Sequence, residues 1–320
     1  WLVRWAWFLD CELTRSQADG VQVGNSDENM DVAELNNADY RSHYIYIAGN
    51  MFYQHFENAI DCKNSFHVTI SQNTMNDYHA TGTGGNANNT AFILSQDGEG
   101  PHSAFHWALA NEIWDAGLGI RCSGNNGAGV GGSTDPTIMD RDYCIANVIR
   151  DCTTGLSVSH GAYSGRSGQE HHFINNTVVR CTTGISINLF QPGATSNVYC
   201  DGNIVSECTT DIDVTGNNGL NLYVVTDNII HKAGGGEAIG GSPTTNTGNV
   251  LGSDPLFTNP ADPTNDFTLS SDSSPAHEAT DENSAYGIYL TQYGIDIRKD
   301  FAGNARPTSG AWDSGAYQRA

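Results

Sequence analysis

Positive charge is scarce in this 320-residue chain, which sets 14 lysines and arginines against 36 acidic residues for a formal net charge of −22. Only Lys63, Lys232 and Lys299 are lysines. So weak a basic footprint excludes nucleic acid and an anionic membrane surface as partners. No stretch approaches the roughly 18 apolar residues of a membrane span, and the opening run WLVRWAWFL suits packing better than insertion. The chain has no initiator methionine at its first residue, Trp1, so a leader or an earlier domain is expected to have been removed or to lie outside it. CxxC pairs and the cysteine–histidine spacings of zinc motifs are absent too. His171 and His172 are adjacent, so on a strand they face opposite sides and cannot share a metal. An acidic, lysine-poor, asparagine- and glycine-rich composition suits a secreted or cell-surface protein of bacterial type.

What the chain does contain is repetition. NVIRDCTTGLSV from Asn147, NTVVRCTTGISI from Asn176 and NIVSECTTDIDV from Asn203 are copies of one pattern, and looser copies start at Asn50, Asn73, Asn111 and Asn228. Successive asparagines are 23, 38, 36, 29, 27 and 25 residues apart. Within each copy the apolar residues alternate with the two-residue period of strands. Variable spacing excludes helical repeats of fixed length, whereas a coiled stack of strands tolerates insertions at its corners. The asparagines are expected to stack as a hydrogen-bonded ladder. From about residue 8 to residue 245 the chain resembles the right-handed parallel β-helix proteins, which implies an all-β solenoid of seven or eight coils. Loop insertions are expected at about 24–43, 80–103, 122–140 and 160–170.

Residues 246–320 differ in character. DPLFTNPADPTNDFTLSSDSSPAHEA and DIRKDFAGNARPTSGAWDSGAYQ are similar to the closing segments of bacterial surface β-helix proteins of the choice-of-anchor kind. An irregular C-terminal cap over the last coil is expected, since an open sheet edge recruits other strands.

The repeat also places the cysteines. Cys152, Cys181 and Cys208 share one slot in successive coils, about 4.8 Å apart, and are read as a file of buried thiols or as neighbours within bonding reach. Cys144 and Cys200 share another slot two coils apart, roughly 9.6 Å, which is beyond disulfide reach. Cys62 and Cys122 are separated in the same way.

The 23-residue coil that holds Lys63 is bare, between coils with long insertions at the same edge. Such a rung is the floor of a groove. Ile60 and Cys62 are expected to point inward, leaving Asp61 and Lys63 outside as a solvated ion pair or as part of a site. Two coils on, Arg121 points outward between Ile120 and Cys122, roughly 10 Å from Asp61. Gln22, Arg166 and His160 are expected to line the same groove.

ENAIDCKNSFHVTISQNTM, residues 57–75, is similar to the stretch around the catalytic lysine of the chondroitinase B and alginate lyase family. The resemblance implies Lys63 as base. It departs from the family at Asp61, where the family has serine; at Glu57, alone where the family has paired calcium-binding glutamates; and at the arginine motif of the following coil, which is missing. Cleavage of a uronate polymer by β-elimination needs the C5 proton acidified by neutralising the neighbouring carboxylate. A lysine then serves as base and an arginine as two-point clamp. That assigns proton abstraction to Lys63, the clamp to Arg121 and the departing oxygen to His79.

GNSDENMD sets Asn25, Asp27, Asn29 and Asp31 at alternate positions, oxygen donors of the kind calcium collects, although the distal glutamate of an EF-hand is missing. A solvated acidic loop is the alternative. Three functions remain open. The favoured one is a lyase on an acidic polysaccharide. A glycoside hydrolase would instead use Asp61 with Asp97 or Glu99, and a non-catalytic surface, adhesion or filament rod would self-associate.

Overall fold

A computed structural model describes residues 3–16, 19–24, 42–55, 57–63, 65–77, 89–95, 104–124, 141–160, 167–189, 195–217 and 220–319. The chain is a right-handed parallel β-helix. Each of the first seven coils contributes one strand to each of three sheets, and the last two contribute to the first and second sheets only. The first sheet stacks nine parallel strands from Arg4–Leu9 to Thr245–Thr247, and the second stacks nine short ones from Glu12–Thr14 to Val250–Leu251. The third stacks seven, from Val21–Gly24 to Thr210–Asn217. Stacking therefore continues past residue 245, where a last partial rung pairs Val224 with Thr245 and Ile229 with Val250.

Alternation along each strand sends one set of side chains inward, and the parallel register lines them up in files. Ile47, Ile70, Ala108, Cys144, Phe173, Cys200 and Val225 form one file of the first sheet. Ile60, Phe92, Ile120, Leu156, Ile185 and Ile212 form one of the third. These residues are all but inaccessible to solvent. Burying an aliphatic or aromatic side chain of this kind contributes about 1.5–3 kcal/mol. The β-branched residues that recur here also fit the pleated surface of a strand.

Asparagine fixes the corner between the first and second sheets. Asn50, Asn73, Asn111, Asn147, Asn176, Asn203 and Asn228 are buried there. The amide Nδ2 of each donates to Oδ1 of the next at 2.8–3.0 Å, a chain that runs on to Asn249. The residue before each takes a left-handed backbone, from Gly49 (φ 68°) and Gln72 (φ 55°) through Ala110 (φ 49°) to Gly248 (φ 71°). That turn aims the asparagine amide along the solenoid. The sequence spacing predicts this ladder, and its geometry explains why the spacing varies while the residue does not: insertions fall at other corners.

The irregular C-terminal segment covers a flank of the solenoid over several coils rather than the last coil alone. Its helix, Ser284–Tyr293, sets Tyr286 and Tyr289 against Trp107, Tyr143 and Ile174 on the outer face of the first sheet. Phe267 and Ala316 pack on Val148 and Val179 of the second. The reason is apolar surface: the strands at Val148–Arg150, Thr177–Val179 and Ile204–Ser206 are buried on both faces and need a cover.

Candidate functional site

The third sheet bends into the first at a corner where coil lengths differ. Gly24 precedes the next first-sheet strand by residues 25–41, and Gly124 does so by residues 125–140. Lys63 and Ser65 are separated by residue 64 alone. Lys63 thus stands at the bare step of this corner.

Register brings several of the expected residues together. Gln22 pairs with Asp61, Asp61 with Ile93, and Ile93 with Arg121, so Asp61 and Arg121 share one outward file two rungs apart. Gln22 is exposed at the head of that file. Lys63 Nζ is 3.0 Å from Asp61 Oδ2. The expectation of a solvated pair needs correction at one partner. Asp61 alternates outward between Ile60 and Cys62, yet it is only 3 % exposed, while Lys63 stays partly open to solvent. A carboxylate held this far from water requires its ammonium partner. Arg121 Nε donates to Ser159 Oγ at 2.8 Å, which fixes the guanidinium along the same face. His79, Arg166, Asn25, Asp27, Asn29, Asp31, Asp97 and Glu99 lie outside the described residues. His160 ends the strand Thr154–His160, and its side chain lies outside them as well.

Beside this corner the first sheet carries an aromatic ladder. Trp5 stacks on Tyr44 with ring centroids 4.3 Å apart, Tyr44 on His67 at 4.8 Å, and His67 on Phe105 at 5.1 Å. All four residues have a left-handed backbone, a local kink repeated in register over four coils. His67 Nδ1 is hydrogen-bonded to Tyr293 Oη at 2.8 Å. Burial, with the neighbouring imidazoles of His43 and His106, lowers the His67 pKa to about 4, so the ring is neutral and free to accept.

A scan against protein-family models found no match, and neither did a search of curated proteins. Among solved structures, one titled as the complex structure of XylC with xylose superposes with a TM-score of 0.49 at 11% sequence identity. The alignment takes in 100% of this chain and 60% of that one, so the chain spans about three fifths of the neighbour's length.

A second constellation, absent from the sequence reading, lies inside the solenoid. One inward file of the first sheet reads Ile45, Val68, His106, Asp142, His171, Val198 and Tyr223 in register. Its three middle members are buried and hydrogen-bonded together. His106 Nδ1 and His171 Nδ1 each lie 3.0 Å from one oxygen of Asp142, and Ser65 Oγ is 3.2 Å from His106 Nε2. Burial opposes the Asp142 charge, but the two imidazoles hold its carboxyl below the usual range. For His171 burial also opposes the charge, and hydrogen bonds to Asp142 and Cys122 outweigh it, raising the pKa to about 10. Sequence spacing carries no signal for this cluster, because its members sit at irregular separations on four strands and only the coil register joins them. His172, as expected, faces the other way, stacked between Tyr143 and Tyr199.

All eight cysteines are free thiols. Cys144 and Cys200 are separated in register by Phe173, and Cys62 and Cys122 by Leu94, so neither pair is within bonding reach. Cys152, Cys181 and Cys208 are buried, each with its Sγ toward the carbonyl two residues before.

Proposed function

We propose that the chain is a secreted carbohydrate-active β-helix protein that takes an acidic, uronate-containing polysaccharide along the corner between its third and first sheets. The reading is supported by one observation above the rest: the cations Lys63 and Arg121 stand on one face of a −22 chain two rungs apart, Arg121 in the file of Gln22 and Asp61, and Lys63 two residues on from Asp61, in register with Gly24. Cations on a common face are what a polyanion needs. The C-terminal segment covers the first and second sheets.

In this reading the polymer is cut by β-elimination. Arg121 takes the uronate carboxylate in two-point fashion, the C5 proton becomes acidic, and Lys63 accepts it. His79 is assigned the departing oxygen. The buried Asp61 favours the charged form of Lys63, and abstraction needs the neutral amine. A second carboxylate beside Asp61 would favour the ammonium further, so Arg121 has to neutralise the substrate carboxylate before Lys63 can accept the proton. The same pairing favours a second reading, in which Lys63 and Arg121 bind polysaccharide without cleaving it. Asn25, Asp27, Asn29 and Asp31 are assigned a calcium ion that orders the groove wall.

The test is a screen against alginate, pectate and glycosaminoglycans, with and without a calcium chelator, following the ultraviolet absorbance of the unsaturated product. A product signal that Lys63→Ala abolishes supports the lyase. Binding without cleavage supports the second reading, and cleavage without absorbance indicates hydrolysis. No binding to any of these polymers overturns the proposal.

A further inference from the structure

One sulfur lies against the buried His106–Asp142–His171 file, with a second beside it. Cys122, from the third sheet, and Cys144, two residues after Asp142, bring their Sγ atoms to 3.9 Å of each other across the core. Cys122 Sγ, an Asp142 oxygen and a His171 ring nitrogen lie within 4.8 Å of one another, and all three residues are buried. We propose that Cys122, Asp142 and His171 form an internal three-ligand binding site, its fourth position left to water, for a zinc-class divalent cation.

The donor chemistry and the spacing both favour a metal of that class. Thiolate, imidazole and carboxylate together suit zinc or cobalt, not the all-oxygen shells of calcium and magnesium. Metal–sulfur bonds of about 2.3 Å and metal–nitrogen or metal–oxygen bonds of about 2.05 Å give a tetrahedron with sulfur–sulfur edges near 3.8 Å and nitrogen–oxygen edges near 3.3 Å. The His171–Asp142 separation of 3.0 Å is close to the latter edge, and Cys122 Sγ lies within 4.8 Å of both, while Cys144 Sγ stands beside the group, 3.9 Å from Cys122 Sγ. Behind the site, His106 holds the second Asp142 oxygen and leans in turn on Ser65, the outer support by which metal sites orient their ligands.

The alternative, a hydrogen-bonded cluster with no ligand, has to explain its position. Other coils fill the same slot with Ile45, Val68, Val198 and Tyr223, so an apolar residue fits the file. Replacing it in three successive coils with ionisable groups carries a desolvation cost that a bound dication offsets. Binding would release the Cys122 thiol proton and the second ring proton of His171, and burial of the ligands means that the metal enters as the chain folds.

The test uses the full chain refolded or expressed with zinc or cobalt(II), then dialysed against chelator. We expect about one metal per chain by elemental analysis. The cobalt form should show a thiolate-to-cobalt charge-transfer band and the strong visible bands of a tetrahedral centre. Cys122→Ser and His171→Gln should each lower retention tenfold or more, and Cys208→Ser, on another file, should leave it at the wild-type level. X-ray absorption on the wild type is decisive even where a variant fails to fold: a shell containing sulfur supports the site, and one with only nitrogen and oxygen overturns it. Retention below a tenth of an equivalent in the wild type, or an unchanged charge-transfer band in a folded Cys122→Ser, also overturns it.

Discussion

Replacing Asn111 with alanine interrupts the ladder at its centre, and the cost can be worked out bond by bond. The Asn111 amide donates to the Ile70 carbonyl at 3.0 Å and to Asn147 Oδ1 at 2.9 Å. Its Oδ1 accepts from the Asn73 backbone N–H and from Asn73 Nδ2, both at 3.0 Å. Alanine removes all four bonds and leaves two Asn73 donors and the Ile70 carbonyl facing a buried gap. Each such group costs about 1–3 kcal/mol, so the variant should lose about 3–9 kcal/mol, a large part of the 5–15 kcal/mol typical of a folded domain. Urea unfolding followed by circular dichroism and tryptophan fluorescence measures the loss. Asn249→Ala, at the half-buried end of the ladder, is the internal comparison and should cost less. A loss under about 1 kcal/mol for Asn111→Ala would mean that the asparagines decorate the corner without holding it.

Three further outcomes are expected. Between pH 7 and pH 5 the protein should lose about 2 kcal/mol through His67, whose pKa falls from an ordinary 6.5 to about 4 on folding. A lowered histidine pKa gives stability that is complete above about pH 6.5 and drains as pH falls towards 4; His67→Phe, which keeps the stack between Tyr44 and Phe105, should flatten that slope in urea titrations. Lys63→Ala should destabilise by about 1–3 kcal/mol, because it strands the buried Asp61 carboxylate. Adding Asp61→Asn should recover much of the loss, and a melting temperature unchanged by Lys63→Ala alone would refute the buried pairing. Ala110→Gly should stabilise by up to about 1 kcal/mol by relieving a left-handed residue, whereas Gly248→Ala should destabilise, since a Cβ there collides with Asp227 Oδ1; thermal melts that move both variants the same way would contradict this account of the corner.

The solenoid was legible because its determinants are local and periodic. One asparagine per coil and two-residue alternation identify the corner and the inward files, and from those follow the unbonded cysteine pairs, the outward Arg121 and the opposed faces of His171 and His172. Burial of an outward residue was not legible. Whether Asp61 is solvated depends on its neighbours in adjacent coils, which strand alternation does not encode. The Cys122–Asp142–His171 cluster was invisible for a related reason: metal motifs are recognised by spacing within one segment, and these ligands meet across coils whose lengths differ. The C-terminal segment was recognisable as distinct, but its course along the flank follows from apolar outer faces on the second sheet.

The asparagine ladder has a direction. From Asn50 to Asn228 each amide donates to the asparagine of the following coil and turns its oxygen to the preceding one, so the side-chain dipoles add head to tail along the axis. Aligned hydrogen bonds polarise one another, so the solenoid axis has an electrical sense, with its negative end at the first coil and its positive end at the last. A whole coil could be gained or lost without breaking this circuit, provided it brings or takes its own asparagine. A coil that lacks one would split the line into two shorter dipoles, and that asymmetry lets length vary freely while the corner residue stays fixed.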